Sequence, residues 1–90
     1  MYNIDYKDQA LLDIAKLKKD EPTAYKKVVS FIEELKQHPK TGTGHPEPLA
    51  GSNNVTYSRR ITKQDILVYD IYDDVVTVLV VTAHGHYSDK

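Results

Sequence analysis

The sequence predicts a two-layer α+β domain, in which two N-terminal helices pack on one face of a mainly antiparallel four-stranded sheet. Three observations predict it. A helical apolar stripe runs through residues 23–37, strand-like apolar segments fill the second half of the chain, and the connections between those segments are short. Because ninety residues provide room for one core, residues 1–90 are interpreted as a single domain.

The first half of the chain begins with a short strand and continues as two helices. Residues 2–6 alternate in polarity, which is typical of a strand. Residues 7–19 have helical spacing, with a predicted core stripe of Leu11, Ile14, Ala15 and Lys18. Pro22 suits the first turn of the next helix. That helix, predicted over residues 23–37, carries its apolar stripe at Ala24, Val28, Phe31, Ile32 and Leu35.

A long loop separates the helices from the sheet. Residues 39–54 contain three prolines and three glycines, which exclude a helix or a central strand. A loop of this length in so small a domain is usually functional or disordered, and the prolines favour a defined shape.

Three strands are predicted after the loop, at residues 55–62, 66–72 and 75–82, with a hairpin turn at Asp73-Asp74. The last strand is apolar on both faces, which indicates an interior position in the sheet. The other segments alternate, so the face opposite the helices should carry Arg60 and remain uncovered. The residues predicted to be buried are Leu11, Ile14, Val28, Phe31, Ile32, Leu35, Leu67, Tyr69, Ile71 and Leu79.

Composition bounds the function classes. The chain has no cysteine, which excludes disulfides and thiolate metal sites. No segment approaches the roughly 20 apolar residues that span a bilayer, and residues 1–10 lack an apolar signal region, so we expect a cytoplasmic protein with no membrane partner. Twelve basic residues meet thirteen acidic ones, and the pI is about 6.4, whereas RNA-binding domains more often have a basic excess. A lysine cluster in the first third is interpreted as a solvated helix face, with an RNA-tracking patch as the alternative: Lys16, Lys18, Lys19, Lys26 and Lys27.

Polar residues in the loop, the strands and the tail form the candidate site. Glu47 lies between two prolines, Arg59 and Arg60 are adjacent in a strand, and His86-Tyr87 lie near the end of the chain. Adjacent strand residues point to opposite faces, and alternation selects Arg60 for the open face. A carboxylate, a guanidinium and an imidazole can together cleave RNA without a metal, as base, phosphate-binding cation and acid.

The order and spacing of these motifs resemble the YoeB/Txe group of RelE-like ribonuclease toxins. The resemblance covers nearly the whole chain and is strongest in residues 42–72, at Gly42-Thr43-Gly44-His45-Pro46-Glu47-Pro48-Leu49, Tyr57-Ser58-Arg59-Arg60-Ile61-Thr62 and Leu67-Val68-Tyr69, followed by His86-Tyr87. It implies the toxin of a type II toxin-antitoxin system, a ribosome-dependent endoribonuclease that cuts messenger RNA in the A site and leaves a 2′,3′-cyclic phosphate.

The resemblance also implies roles and partners. Glu47 matches the general base, Arg60 the arginine that contacts the scissile phosphate, His86 the general acid and Tyr87 the tyrosine that positions the RNA. No cofactor or metal is implied. The partners implied are a YefM-like antitoxin, the ribosome, a second copy of the chain in a homodimer, and operator DNA only through the antitoxin.

Ile66 departs from the family pattern, because the family carries a phosphate-stabilising arginine there. Ala50 also replaces a lysine found in some members. Losing one transition-state donor typically costs about 10²–10³ in rate. An alternative function is therefore a catalytically crippled RelE-fold protein that binds the antitoxin and represses its own operon. A gyrase-poisoning relative is disfavoured because such proteins do not need Glu47 and His86-Tyr87. A zinc site using His84 and His86, with His45 or Asp89, is a further alternative.

Overall fold

The computed structural model describes residues 1–49 and 55–84. The elements run in the order β1 (Asn3–Tyr6), α1 (Asp8–Asp20), α2 (Pro22–Leu35), β2 (Glu47–Pro48), β3 (Thr56–Arg60), β4 (Ile66–Tyr72), a single 3₁₀ turn (Asp73–Val75) and β5 (Thr77–Thr82). The predicted α+β class, with two helices before a mainly antiparallel sheet, is confirmed.

The described strands form one sheet in the order β1-β5-β4-β3-β2. β1 pairs with β5 in parallel, and the other neighbours are antiparallel. β5 lies between β1 and β4, so its predicted interior position is confirmed. The predicted count of four strands is wrong, because Glu47-Pro48 adds a two-residue strand. Proline argues against a central strand, but β2 lies at the sheet edge, where proline is tolerated.

The second helix buries the face that its apolar stripe predicts. Ala24, Val28, Phe31 and Leu35 are at most 5% exposed, and Ile32 is partly buried. They pack against Ile61, which directly follows β3, and against strand residues that share one sheet face: Leu67, Tyr69, Ile71, Val78 and Val80. Burying these side chains is the main favourable contribution to folding, worth about 1.5–3 kcal/mol for each large one.

The phase predicted for the first helix is wrong. Ala10 and Leu17 are its buried residues, with Ile14 partly buried, whereas Leu11 is 51% exposed. Ala15 and Lys18 are exposed too. Leu11 instead lines a groove of about 320 Å³ between the helices and β1, together with Tyr6, Ile14, Tyr25, Val29, Ile32, Glu33 and Lys36.

Leu79 is also not a core residue. It pairs across the sheet with Asp70, and paired residues share a face, so it lies opposite the helices and is only partly buried. Its neighbours Val78 and Val80 are the residues of β5 that fill the core, both fully buried.

No helix in residues 1–49 or 55–84 is long and apolar enough to cross a membrane.

Candidate active site

The two adjacent arginines of β3 point in opposite directions. Arg59 is fully buried on the helix side of the sheet, whereas Arg60 is exposed on the other side. This separation follows from the alternation of side chains along a strand. Within the described part of the chain, the Arg60 side chain makes one long hydrogen bond, from Nη1 to the Lys63 carbonyl oxygen at 3.4 Å. Most of its donors are therefore available for a ligand.

Strand pairing brings Glu47 and Ile66 onto the same face as Arg60. Glu47 pairs with Ser58, and Arg60 pairs with Ile66. Because paired residues share a face and Ser58 lies two residues before Arg60, all four point to one side. We call this surface the Arg60 face, formed by Glu47, Ser58, Arg60, Ile66 and Val68. In an antiparallel pair, opposite residues such as Arg60 and Ile66 typically have Cβ atoms about 4.5–5.5 Å apart, and diagonal neighbours such as Glu47 and Arg60 are roughly 7–8 Å apart.

The Arg60 face is less open than the sequence predicts. Glu47 and Arg60 are exposed, but Ser58 and Ile66 are each 7% exposed and Val68 is fully buried. The expectation of a wholly uncovered face is therefore wrong at its centre. The two charged side chains stand at the surface beside apolar and small residues, and such a low-dielectric floor strengthens their interaction with a bound phosphate or hydroxyl.

The loop before Glu47 is built around the buried Arg59. Its guanidinium donates to the carbonyl oxygens of His38 and Thr41, both at 2.7 Å, and of Thr43 at 3.3 Å. It also donates to Glu34 Oε1 at 2.6 Å and to the Tyr69 hydroxyl at 3.0 Å. A buried cation needs such partners, because desolvation without them is costly. Sequence alternation indicated that Arg59 points inward, but its role depends on residues distant in sequence.

Glu34 completes this arrangement. Its carboxylate accepts hydrogen bonds from the Thr43 backbone N–H at 3.0 Å and the Thr43 hydroxyl at 2.8 Å. Burial alone would raise the pKa of Glu34. The hydrogen bonds from Thr43 and Arg59 and the Arg59 charge outweigh it, so the pKa lies below its ordinary value. The carboxylate is therefore ionised at neutral pH.

Two glycines let the loop approach this ion pair closely. Gly44 has φ +80°, and a Cβ there would lie 2.6 Å from the Phe31 ring. Gly42 has φ +117°, and a Cβ there would collide with the Glu34 carboxylate. Positive φ and the lack of space both require glycine. The Gly42-Thr43-Gly44 motif thus has a structural explanation in the path of the loop toward Glu47.

The described chain ends near Ile66 on the helix side of the sheet. His84 Nδ1 lies 3.3 Å from Oδ1 of Asp65, which is buried and adjacent to Ile66. His84 also lines a second groove with residues of α1, including Asp13 and Lys16. His86 and Tyr87 lie outside the described residues, as do Ala50 and Asp89, so the predicted convergence of Glu47, Arg60, His86 and Tyr87 stays a prediction. The zinc hypothesis also depends on residues outside that part.

Known proteins place the chain in a family. Residues 6–87 match the model of the YoeB-like toxin of bacterial type II toxin-antitoxin systems. Toxin YoeB of Mycobacterium bovis is 41% identical over 68 residues, covering 76% of each chain. The YoeB/ParE toxin of Agrobacterium tumefaciens superposes with a TM-score of 0.86 at 26% identity, covering 94% of this chain and 99% of that one.

Two Staphylococcus aureus structures are similar as well. A YoeB dimer has a TM-score of 0.84 at 26% identity, covering 96% of this chain and 98% of that one. A YoeB-YefM complex has a TM-score of 0.77 at 27% identity, covering 97% and 99%. Together with the match over residues 6–87, the fold and the motifs around Glu47 and Arg60 lead to one assignment: the chain belongs to the YoeB-like toxins of bacterial type II toxin-antitoxin systems.

Proposed function

We propose that the chain is a ribosome-dependent endoribonuclease that cleaves messenger RNA in the A site without a metal. The observation that carries this proposal is the strand register, which puts the exposed residues Glu47 and Arg60 on one face of the sheet as diagonal neighbours, a relation with a typical spacing of roughly 7–8 Å. That spacing suits a base and a phosphate-binding cation on either side of one RNA linkage. Membership of the YoeB-like toxins supports it.

The proposed reaction is an internal transfer at phosphorus. Glu47 takes the proton of the 2′-hydroxyl, and the 2′-oxygen attacks the neighbouring phosphorus. The bond from phosphorus to the 5′-oxygen breaks, and His86 donates a proton to that departing oxygen. The products are a 2′,3′-cyclic phosphate and a 5′-hydroxyl. Arg60 stabilises the negative charge that builds up on the phosphoryl oxygens, and Tyr87 positions the RNA.

The proposed role of His86 is supported by the family match, which extends over residues 6–87. His84, two residues earlier in the sequence, contacts Asp65, and Asp65 directly precedes Ile66, the strand partner of Arg60.

The proposed partners are a YefM-like antitoxin, the ribosome and a second copy of the chain. The Staphylococcus aureus relatives form a dimer and a complex with YefM, which supports the first and last of these. Operator DNA would be reached only through the antitoxin. This role places the chain in the cytoplasm, where ribosomes are.

A second candidate is supported by Ile66. An aliphatic side chain next to Arg60 neither donates a hydrogen bond nor pairs with a phosphate. Phosphate stabilisation at this strand pair therefore depends on Arg60 without a second guanidinium at position 66. A chain with crippled cleavage could still bind an antitoxin and repress its operon. The two functions differ in one measurable property, which is cleavage.

The test is cleavage of a model message on purified ribosomes, followed by analysis of the product ends. We expect weak or undetectable cleavage by the parent chain and an increase of about 10²–10³ for Ile66→Arg, the usual worth of such a donor. Ile66→Met is the matched control, because it changes shape without adding charge, and should leave the rate near the parent's. Glu47→Gln and His86→Gln in the Ile66→Arg chain should each lower the cleavage rate by about 10²–10⁴-fold, the usual effect of removing a general base or acid.

Two results would contradict parts of this proposal. If Ile66→Arg leaves measurable cleavage unchanged while Glu47→Gln strongly lowers it, phosphate stabilisation comes from other residues. If neither the parent nor Ile66→Arg cleaves, while an antitoxin of the YefM type still binds both, the ribonuclease proposal fails and the binding-module function replaces it.

A further inference from the structure

The buried Arg59 is bound mainly to the loop that leads to Glu47. We define this loop as residues 38–46, between α2 and β2. All five N–H donors of a guanidinium can be used at once, and Arg59 makes five hydrogen bonds, three of them to carbonyl oxygens of this loop. Its guanidinium carbon also lies 5.9 Å from the Phe31 ring centroid and 5.8 Å from that of Tyr69. Arg59 thus fixes the loop from beneath.

Glu34, on α2, binds the same loop. It neutralises Arg59 and accepts two hydrogen bonds from Thr43, so the backbone at Thr43 is held by both members of the ion pair. The glycines on either side of Thr43 leave no space for a Cβ. The path of the loop therefore follows the surface of the ion pair, whose members are Glu34 on α2 and Arg59 on β3.

Three consecutive residues of β3 connect this arrangement to the candidate site. Ser58 pairs with Glu47, Arg59 holds residues 38–43, and the Arg60 N–H donates to the Gly44 carbonyl oxygen at 2.8 Å. β3 thereby sets both the position of the Arg60 side chain and the path of the chain into Glu47. We propose that Arg59, together with Glu34, is a positioning residue that holds the Glu47 carboxylate in register with Arg60; this inference rests on the proposed ribonuclease function.

Positioning and simple stabilisation make different predictions. A base must be held within about 0.5 Å of its productive position, and a 1 Å displacement can cost about 10² in rate. Loss of stability alone lowers the folded fraction but does not change the rate of the folded molecules. A positioning effect should also disappear when Glu47 itself is removed, because residues that act as a unit are not additive.

The experiment uses Arg59→Lys in the full chain, with and without Ile66→Arg. It measures the single-turnover cleavage rate at saturating folded protein and, in a separate titration, the affinity for ribosomes. Lysine keeps the charge beside Glu34 but is a point donor that cannot replace the guanidinium fork. We expect the rate in the Ile66→Arg chain to fall about 10²-fold while ribosome affinity changes less than about threefold. Lys40→Ala is the matched control, since Lys40 is another cation of the loop and its ion pair with Asp73 is exposed. Added to the Ile66→Arg chain, Lys40→Ala should leave the cleavage rate unchanged.

The deciding comparison adds Glu47→Gln. Arg59→Lys should reduce the residual rate of the Glu47→Gln chain by less than about threefold, because the base that Arg59 positions is already gone. Reductions that multiply, or a normal rate in Arg59→Lys, would overturn this inference while leaving the ribonuclease function intact. Cleavage that does not depend on Glu47, or no cleavage by the Ile66→Arg chain, would instead overturn the proposed function and the inference with it.

A milder variant covers the case in which Arg59→Lys does not fold. Thr43→Val removes only the hydroxyl that donates to Glu34, on an exposed residue. We expect about a fivefold lower rate, the usual worth of one hydrogen bond, with the same dependence on Glu47. An unchanged rate in a folded Thr43→Val chain would overturn the inference.

Discussion

Arg59 and Arg60 are identical side chains one residue apart, and the strand places them in different surroundings, one buried and one exposed. Alternation along β3 was enough to predict which of them faces away from the helices. It could not predict what Arg59 binds, because its partners come from α2, from the loop and from β4, up to 25 residues away in sequence. The direction of a strand side chain follows from alternation along the strand, whereas its hydrogen-bond partners depend on the tertiary fold.

The Glu34 carboxylate should make stability depend on pH in the acid range. The Thr43 and Arg59 contacts outweigh the effect of burial and lower its pKa from the ordinary 4.5. A carboxylate with a lowered pKa in the folded state stabilises the fold above its unfolded pKa. That contribution is lost as the pH falls below about 4.5 toward the folded-state pKa. The free energy of unfolding should therefore decrease as the pH falls below about 4.5 in the acid range.

Urea unfolding of Glu34→Gln across that range checks this prediction. The variant should be less stable than the parent at pH 7, because the buried guanidinium loses its counter-charge, and the difference should shrink as the pH falls. Glu33→Gln is the control: Glu33 is 66% exposed and pairs with Lys36, so its removal should leave the profile nearly unchanged. A constant difference between Glu34→Gln and the parent would contradict the linkage.

Among the elements, the two helices differ in how well the sequence determines their orientation. In α2 most of the large apolar residues fall on one stripe, with Val29 exposed, so the sequence favours one orientation of the helix toward the core. In α1 the apolar residues Ala10, Leu11, Leu12, Ile14, Ala15 and Leu17 occupy more than one stripe. Tertiary packing then selects Ala10 and Leu17 and leaves Leu11 and Leu12 exposed. β2 was missed for a similar reason, because only its edge position makes proline acceptable there.

The same leucine-to-alanine substitution at two positions of α1 tests which face of the helix is turned toward the core. Leu17→Ala removes a side chain that is 4% exposed and should destabilise the fold by about 2–5 kcal/mol. Leu11→Ala removes the same atoms from a residue that is 51% exposed and should cost about 1 kcal/mol or less. Both values come from urea unfolding at neutral pH. A larger cost for Leu11→Ala than for Leu17→Ala would mean that α1 turns Leu11, and not Leu17, toward the core.

The molecule as a whole has almost no net charge with which to attract RNA. Its formal charge is −1, and the Arg60 face pairs one exposed cation with one exposed carboxylate, Glu47. Affinity for nucleic acid grows with the number of phosphates that a protein neutralises. The lysines of the helices are exposed, but the candidate site lies on the other side of the sheet. We therefore expect the ribosome, rather than long-range attraction, to deliver the message to the site.

Binding to free single-stranded RNA measures this directly. At about 0.15 M salt the Kd should be weaker than about 0.1 mM, and free RNA should not be cleaved. Each neutralised phosphate of a single strand contributes about −0.7 to the slope of log K against log salt, so a site with one or two cations should give a slope no steeper than about −1.4. Ile66→Arg adds one cation beside Arg60 and should steepen it by about 0.7. Lys18→Ala, on α1, should leave the slope unchanged. A micromolar Kd, together with a salt slope that Lys18→Ala makes shallower, would contradict this prediction. It would mean that the lysines of the helices bind RNA despite the near-neutral net charge of the chain.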